Sequence, residues 1–151
     1  MFRFLLGVVA GLALAFVGVI AVEMFSAVVH PFPEDFPSAD EGEAFQQAIC
    51  RHVENYPSWV LAVAAGMWLE IIYLGALAGT SISGRAAGVT VAGLLLLALA
   101  FNLWMLPYPV WFELAMLLGL PIMTWLAVRS PRRVAQPPTD APPKSTSTAA
   151  G

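Results

Sequence analysis

Five polar residues stand where the chain is otherwise apolar: Glu23, Glu70, Asn102, Glu113 and His30. A carboxylate can hold a proton, pair with a cation or accept hydrogen bonds, an amide both donates and accepts, and an imidazole titrates near neutrality. The surroundings make this chemistry conspicuous. "VGVIAVEMFSAVVHPFP" sets Glu23 among branched aliphatics, and "NLWMLPYPVWFELA" carries Asn102 and Glu113. No Lys or Arg lies within the same apolar runs to neutralise the acids. An uncompensated charge in hydrocarbon costs ~2.5–3.5 kcal/mol even on the lenient insertion scale, so such residues are expected to turn toward the interior. Two arrangements satisfy them. In one, the carboxyls are protonated and bond one another and Asn102, tying helices together. In the other, they line an outward-facing pocket for protons, a cation or a small polar ligand.

The elements that must position them are membrane spans. Of 151 residues 59% are hydrophobic and 11% charged, where soluble domains are near half apolar and a quarter charged. Apolar runs of about 20 residues, enough to cross ~30 Å of hydrocarbon, fall at about 4–29, 58–79, 86–106 and 109–128. Each is expected as a helix, because a segment in lipid can satisfy its backbone alone only that way. The run "AGLLLLALAFNLWML" lacks the alternation of a barrel strand. The fold expected is therefore all-α, an antiparallel four-helix transmembrane bundle. The first run has only Arg3 as a basic flank and exceeds the apolar length of a signal peptide, so it is expected to stay as an anchor.

Counting ~1.5 Å per residue from each span's midpoint puts Glu23 roughly 10 Å, and Asn102 and Glu113 roughly 8–9 Å, toward the same side. Glu70 falls near the midplane, within reach of Tyr73 one turn on. His30 lies two turns above Glu23, about 10 Å, too far for both to bind one ion directly. The acids and histidine match no HExxH or ExxH spacing, which leaves any metal unspecified.

Basic residues orient the bundle. Arg3, Arg85, Arg129, Arg132, Arg133 and Lys144 share one side and Arg51 alone the other, so both termini are expected in the cytoplasm. The first outer loop, 30–57, holds a short amphipathic helix at about 39–54: Ser38 and Glu41 make a capping box, and Phe45, Ile49 and Val53 repeat every fourth residue with Ala48 and His52 beside them. It lies on the outer surface or lids the bundle. Residues 130–151, rich in Pro, Ser and Thr, are expected to be a disordered cytoplasmic tail. Gly7 with Gly11, Gly75 with Gly79, and Gly88 with Ala92 have the four-residue spacing of close helix contacts. Trp59, Trp104, Tyr108 and Trp111 fall at the outer boundary as interface anchors, with Trp125 at the inner one. Pro121 is expected to kink the fourth span.

Other classes find little support. The single cysteine, Cys50, excludes an intramolecular disulfide and a cysteine metal cluster. No nucleophile elbow, Walker A loop or dinucleotide glycine pattern occurs, so the chain is not expected to be an enzyme, and no cofactor is indicated. Seven basic residues, mostly at membrane boundaries, argue against nucleic acid. The partners expected are the lipid bilayer and either further copies of the chain or another membrane subunit.

From Glu23 to Val128, on "VEMFSAVVHPFP" and "NLWMLPYPVWFELA", the arrangement resembles small bacterial four-span integral membrane proteins of uncharacterised function. The resemblance implies a bacterial inner membrane and brings no activity or ligand. The reading is a multi-pass membrane protein with a polar pocket at Glu23, Asn102 and Glu113, Glu70 deeper and His30 at the entrance. A structural or accessory subunit, a small transporter component and a membrane enzyme stand as alternatives.

Overall fold

Long apolar segments coil to bond their own backbones, and connectors break where proline or glycine prevents coiling. The computed structural model describes residues Met1 to Ser130, and among them it is all-helical with no strand. Helix α1 covers Phe2–Val29, α2 Glu43–Glu54, α3 Ser58–Ser83, α4 Arg85–Met105 and α5 Val110–Arg129, with one 3-10 turn at Ala39–Glu41. Four of these helices, α1, α3, α4 and α5, are long and apolar enough to span a membrane. The expected tail falls outside the described residues beyond Ser130.

The breaks have local causes. Pro57 and Pro109 stand immediately before α3 and α5, where a missing N–H costs nothing. Gly84 alone separates α3 from α4 at φ 99°, a left-handed conformation that a Cβ would oppose. The continuous helix expected over about 39–54 is divided at Gly42, φ 55°. Ser38 and Glu41 do bond: the Ser38 backbone N–H donates to Glu41 Oε1 at 2.8 Å and the Ser38 hydroxyl to the same oxygen at 2.9 Å. They close the 3-10 turn, and α2 starts afresh at Glu43. Helix α5 continues unbroken through Pro121.

Helix α3 is central. It packs on α1, α4 and α5, while α4 also meets α1 and α5, and α1 and α5 do not pack on each other. Small residues permit the closest approach: a Cβ on Gly11 would lie 2.6 Å from the Gly75 carbonyl oxygen. Positions rising along α1 face positions falling along α3, with Gly7 against Ser83, Gly11 against Gly75 and Gly18 against Ile71. At that end the Ser83 hydroxyl donates to the Arg3 carbonyl. Ile72, Val91, Leu99 and Met116 are buried in the core, one or more from each of α3, α4 and α5, with Ala15 and Val22 of α1 joining the same cluster.

Candidate functional site

At the end of the bundle that carries the α1–α3 connector, the helices part around a cavity of about 230 Å³. Glu23 and Ser26 come from one arc of α1, Leu61, Ala64 and Trp68 from one stripe of α3, Asn102 from the last turn of α4, and Phe112 from the first turn of α5. The α1–α3 connector closes it from one side with Phe32, Ile49, His52, Val53 and Tyr56, and the α4–α5 link closes it from another with Tyr108. Helical spacing explains this convergence. Residues 61, 64 and 68 share a face of α3, and 23 and 26 share a face of α1.

The polar groups differ in setting. Glu23 lines the cavity while remaining exposed, and Asn102 is half-buried. Tyr108 stacks on Phe112 with ring centroids 4.6 Å apart at 21°. Burial pushes the Tyr108 phenol up to about 12, and the neighbouring Glu23 carboxylate and Tyr56 add to the rise. Tyr56 is raised for the same first reason, with Glu23 contributing and the Ser26 hydroxyl opposing. Both phenols are therefore neutral donors at physiological pH, beside a carboxylate that can accept.

No protein-family profile, curated protein or solved structure matches the chain. The chemistry of the site is thus read from its own geometry.

A second, more open cavity of about 410 Å³ lies within the α1–α3 connector, between its first residues and α2, lined by His30, Asp35, Phe36, Arg51, His52 and Asn55 among others. His52 borders both cavities. Its ring stacks on His30 at 4.4 Å and 25°, with Phe32 at 4.4 Å and Tyr56 edge-on at 5.3 Å. The Nε2 atoms of His30 and His52 are both buried without a hydrogen-bond partner among the described residues. Burial first, and the adjacent His30 second, hold the His52 imidazole below its ordinary value, opposed by the His30 backbone.

Of the residues singled out in the sequence, the structure brings Glu23 and Asn102 to one cavity and puts His30 on the neighbouring one. Glu113 is half-buried and is not among the residues lining the Glu23 cavity; Phe112 takes that place. Glu70 is exposed on α3, and the Tyr73 hydroxyl stands 3.4 Å from Ser130 Oγ. Among the described residues no hydrogen bond joins Glu23, Asn102 and Glu113, and no group of three or more His, Cys, Asp or Glu could hold a metal ion.

Sequence reasoning missed Ser26, Trp68 and Tyr56 as lining residues and took Tyr108 for an interface anchor. The signal for Ser26 and Trp68 was spacing: Ser26 lies three residues after Glu23, and Trp68 seven after Leu61. For Tyr56 and Tyr108 no local signal exists, because the connector's path decides their direction. Trp59, Trp104, Trp111 and Trp125 are exposed at helix ends, and Arg129 stacks 4.2 Å above the Trp125 ring.

Proposed function

We propose that the chain is a multi-pass membrane protein of the bacterial inner membrane, an antiparallel bundle with both termini cytoplasmic, that binds a small cation in its outward half. The short α2 is its amphipathic outer helix, presenting Ala48, His52 and Val53 inward and Glu43, Gln47 and Glu54 to water. One observation carries the reading: Glu23 and Asn102, from different spans, converge on a cavity walled by aromatic rings. A carboxylate supplies the counter-charge, ring faces attract a cation through their quadrupoles, and the amide and phenols fix its orientation. A space of about 230 Å³ suits a ligand of few heavy atoms, such as an alkylammonium, since drug-sized ligands take roughly 300–1,000 Å³. The absence of a Glu23–Asn102 bond leaves the carboxylate available, which favours binding over helix tethering.

Methylammonium and choline are the probes for this reading. In detergent, each is expected to raise the unfolding temperature of the wild type and to quench or enhance tryptophan emission through Trp68. Glu23→Gln should reduce affinity about tenfold, since a charge-assisted contact to a carboxylate is worth about 1.4 kcal/mol or more. Equal cation binding by wild type and Glu23→Gln would overturn the assignment, as would no binding by either.

A further inference from the structure

Helix α3 is surrounded by the other spans, yet one strip of it stays bare. Val63, Gly66, Glu70 and Leu74 recur at three- and four-residue spacing, and all are exposed. A Cβ placed on Gly66 would meet nothing within 4 Å. The strip lies in the gap that follows from α1 and α5 each packing on α3 without packing on each other.

Glu70 sits at the centre of this strip and at the centre of the span, twelve residues after Ser58 and thirteen before Ser83. At ~1.5 Å per residue it is roughly 18–20 Å from either helix end, in the middle of the hydrocarbon. A carboxyl facing lipid there is costly and needs a polar partner at the same depth. Among the described residues no hydrogen bond reaches Glu70, and the other spans lie elsewhere around the helix: α1 on the Gly75 side, α4 on the Ala76 side and α5 on the Leu69 side.

We propose that this strip is the contact between two copies of the chain, with the Glu70 side chains hydrogen-bonded to each other as neutral acids. Two copies inserted in the same direction pair about a two-fold axis along the bilayer normal, which sets Glu70 opposite Glu70 at equal depth by symmetry. A neutral carboxyl has one O–H donor and a carbonyl acceptor, so two facing carboxyls satisfy one another completely. Gly66, one turn away on the same strip, lets the two α3 backbones approach, as small residues do where lipid supplies no hydrophobic drive. Self-pairing needs no basic residue, and α3 contains none. The proposal is independent of the Glu23 cavity, which opens on other faces of the helices.

The test is oxidative cross-linking in native membranes, on a Cys50→Ser background. Val63→Cys, on the strip, is expected to give a covalent dimer, and Leu97→Cys, exposed on α4 away from it, is not. Glu70→Gln keeps a donor and an acceptor and should keep the dimer; Glu70→Leu should lower the cross-linked fraction about tenfold. Gly66→Phe adds bulk where a Cβ meets nothing within 4 Å, so it should abolish the dimer while the unfolding temperature of the detergent-solubilised monomer holds. Equal cross-linking at Val63→Cys and Leu97→Cys would overturn the proposal. So would a Glu70→Leu dimer as abundant as the wild type, or a Glu70-dependent complex with a different membrane protein carrying Lys or Arg at that depth.

Discussion

The Tyr108 phenol offers a direct readout of how close the Glu23 carboxylate stands. Burial raises its ionisation to about 12 from the usual 10.0, and the negative charge of Glu23 opposes a second negative charge on the phenolate. The folded value lies above the unfolded one, so the neutral phenol stabilises the fold fully below the unfolded value and the contribution is lost as pH rises through about 12. Subtracting the alkaline absorbance titration of Tyr108→Phe from that of the wild type should isolate a phenol that ionises only near the top of the range. Glu23→Gln should lower that ionisation, and an unchanged titration would separate the two residues. At this scale the sequence was half legible. A glutamate or asparagine in an apolar run stands out, and counting residues from the helix ends gives its depth. Depth says nothing of direction. By that count Glu113 was expected level with Glu23, but Phe112, Met116 and Leu120 take the core face of α5, and one residue is about 100° around the helix.

Among the elements, α2 depends most on its neighbours. Twelve residues are too few for a stable isolated helix in water. Docking of Ala48, His52 and Val53 therefore holds it in place. His52 faces the rings of His30, Phe32, Phe36 and Tyr56, with Asp35 and Arg51 on one of the cavities it borders and Glu23 on the other. Its ionisation is held below the ordinary 6.5, so the docked neutral ring contributes stability above that pH, and the contribution is lost as pH falls through the lowered value. Hydrogen exchange should then show lower protection factors for α2 amides at about pH 5 than at about pH 7.5, with α3 unchanged, and His52→Phe should flatten the difference. Equal α2 protection at both values would mean that His52 does not govern docking. The periodicity of Phe45, Ile49 and Val53 made this helix legible. Its true start was not, because the Ser38–Glu41 bonds mark a turn equally well whether the chain continues as helix or, as Gly42 allows at φ 55°, redirects first.

For the whole molecule, the four helices long and apolar enough to cross a membrane were the most legible feature, since hydrocarbon thickness and backbone satisfaction favour one solution for runs this long and apolar. Their arrangement around α3 was only partly so: small-residue spacing marked Gly11 and Gly75 as residues of close helix contacts but could not say that they meet each other or that α1 and α5 stay apart. Orientation is a separate physical matter, decided by where the basic residues lie rather than by packing. Arg3, Arg85 and Arg129 of the described chain, with Arg132, Arg133 and Lys144 beyond it, oppose Arg51 alone, and that excess should keep the Glu23 end outside. Cys50 makes a natural reporter, because it is the single cysteine and lies half-buried on α2 at that end. A membrane-impermeant maleimide applied to intact cells should label Cys50, at a rate that permeabilisation raises little. Protease should remove the C-terminal segment only in inverted vesicles. The opposite pattern, with Cys50 labelled only after permeabilisation, would turn the cavity toward the cytoplasm. Glu23 would then meet the cell's own cations, and the direction of any ligand's entry would reverse with it.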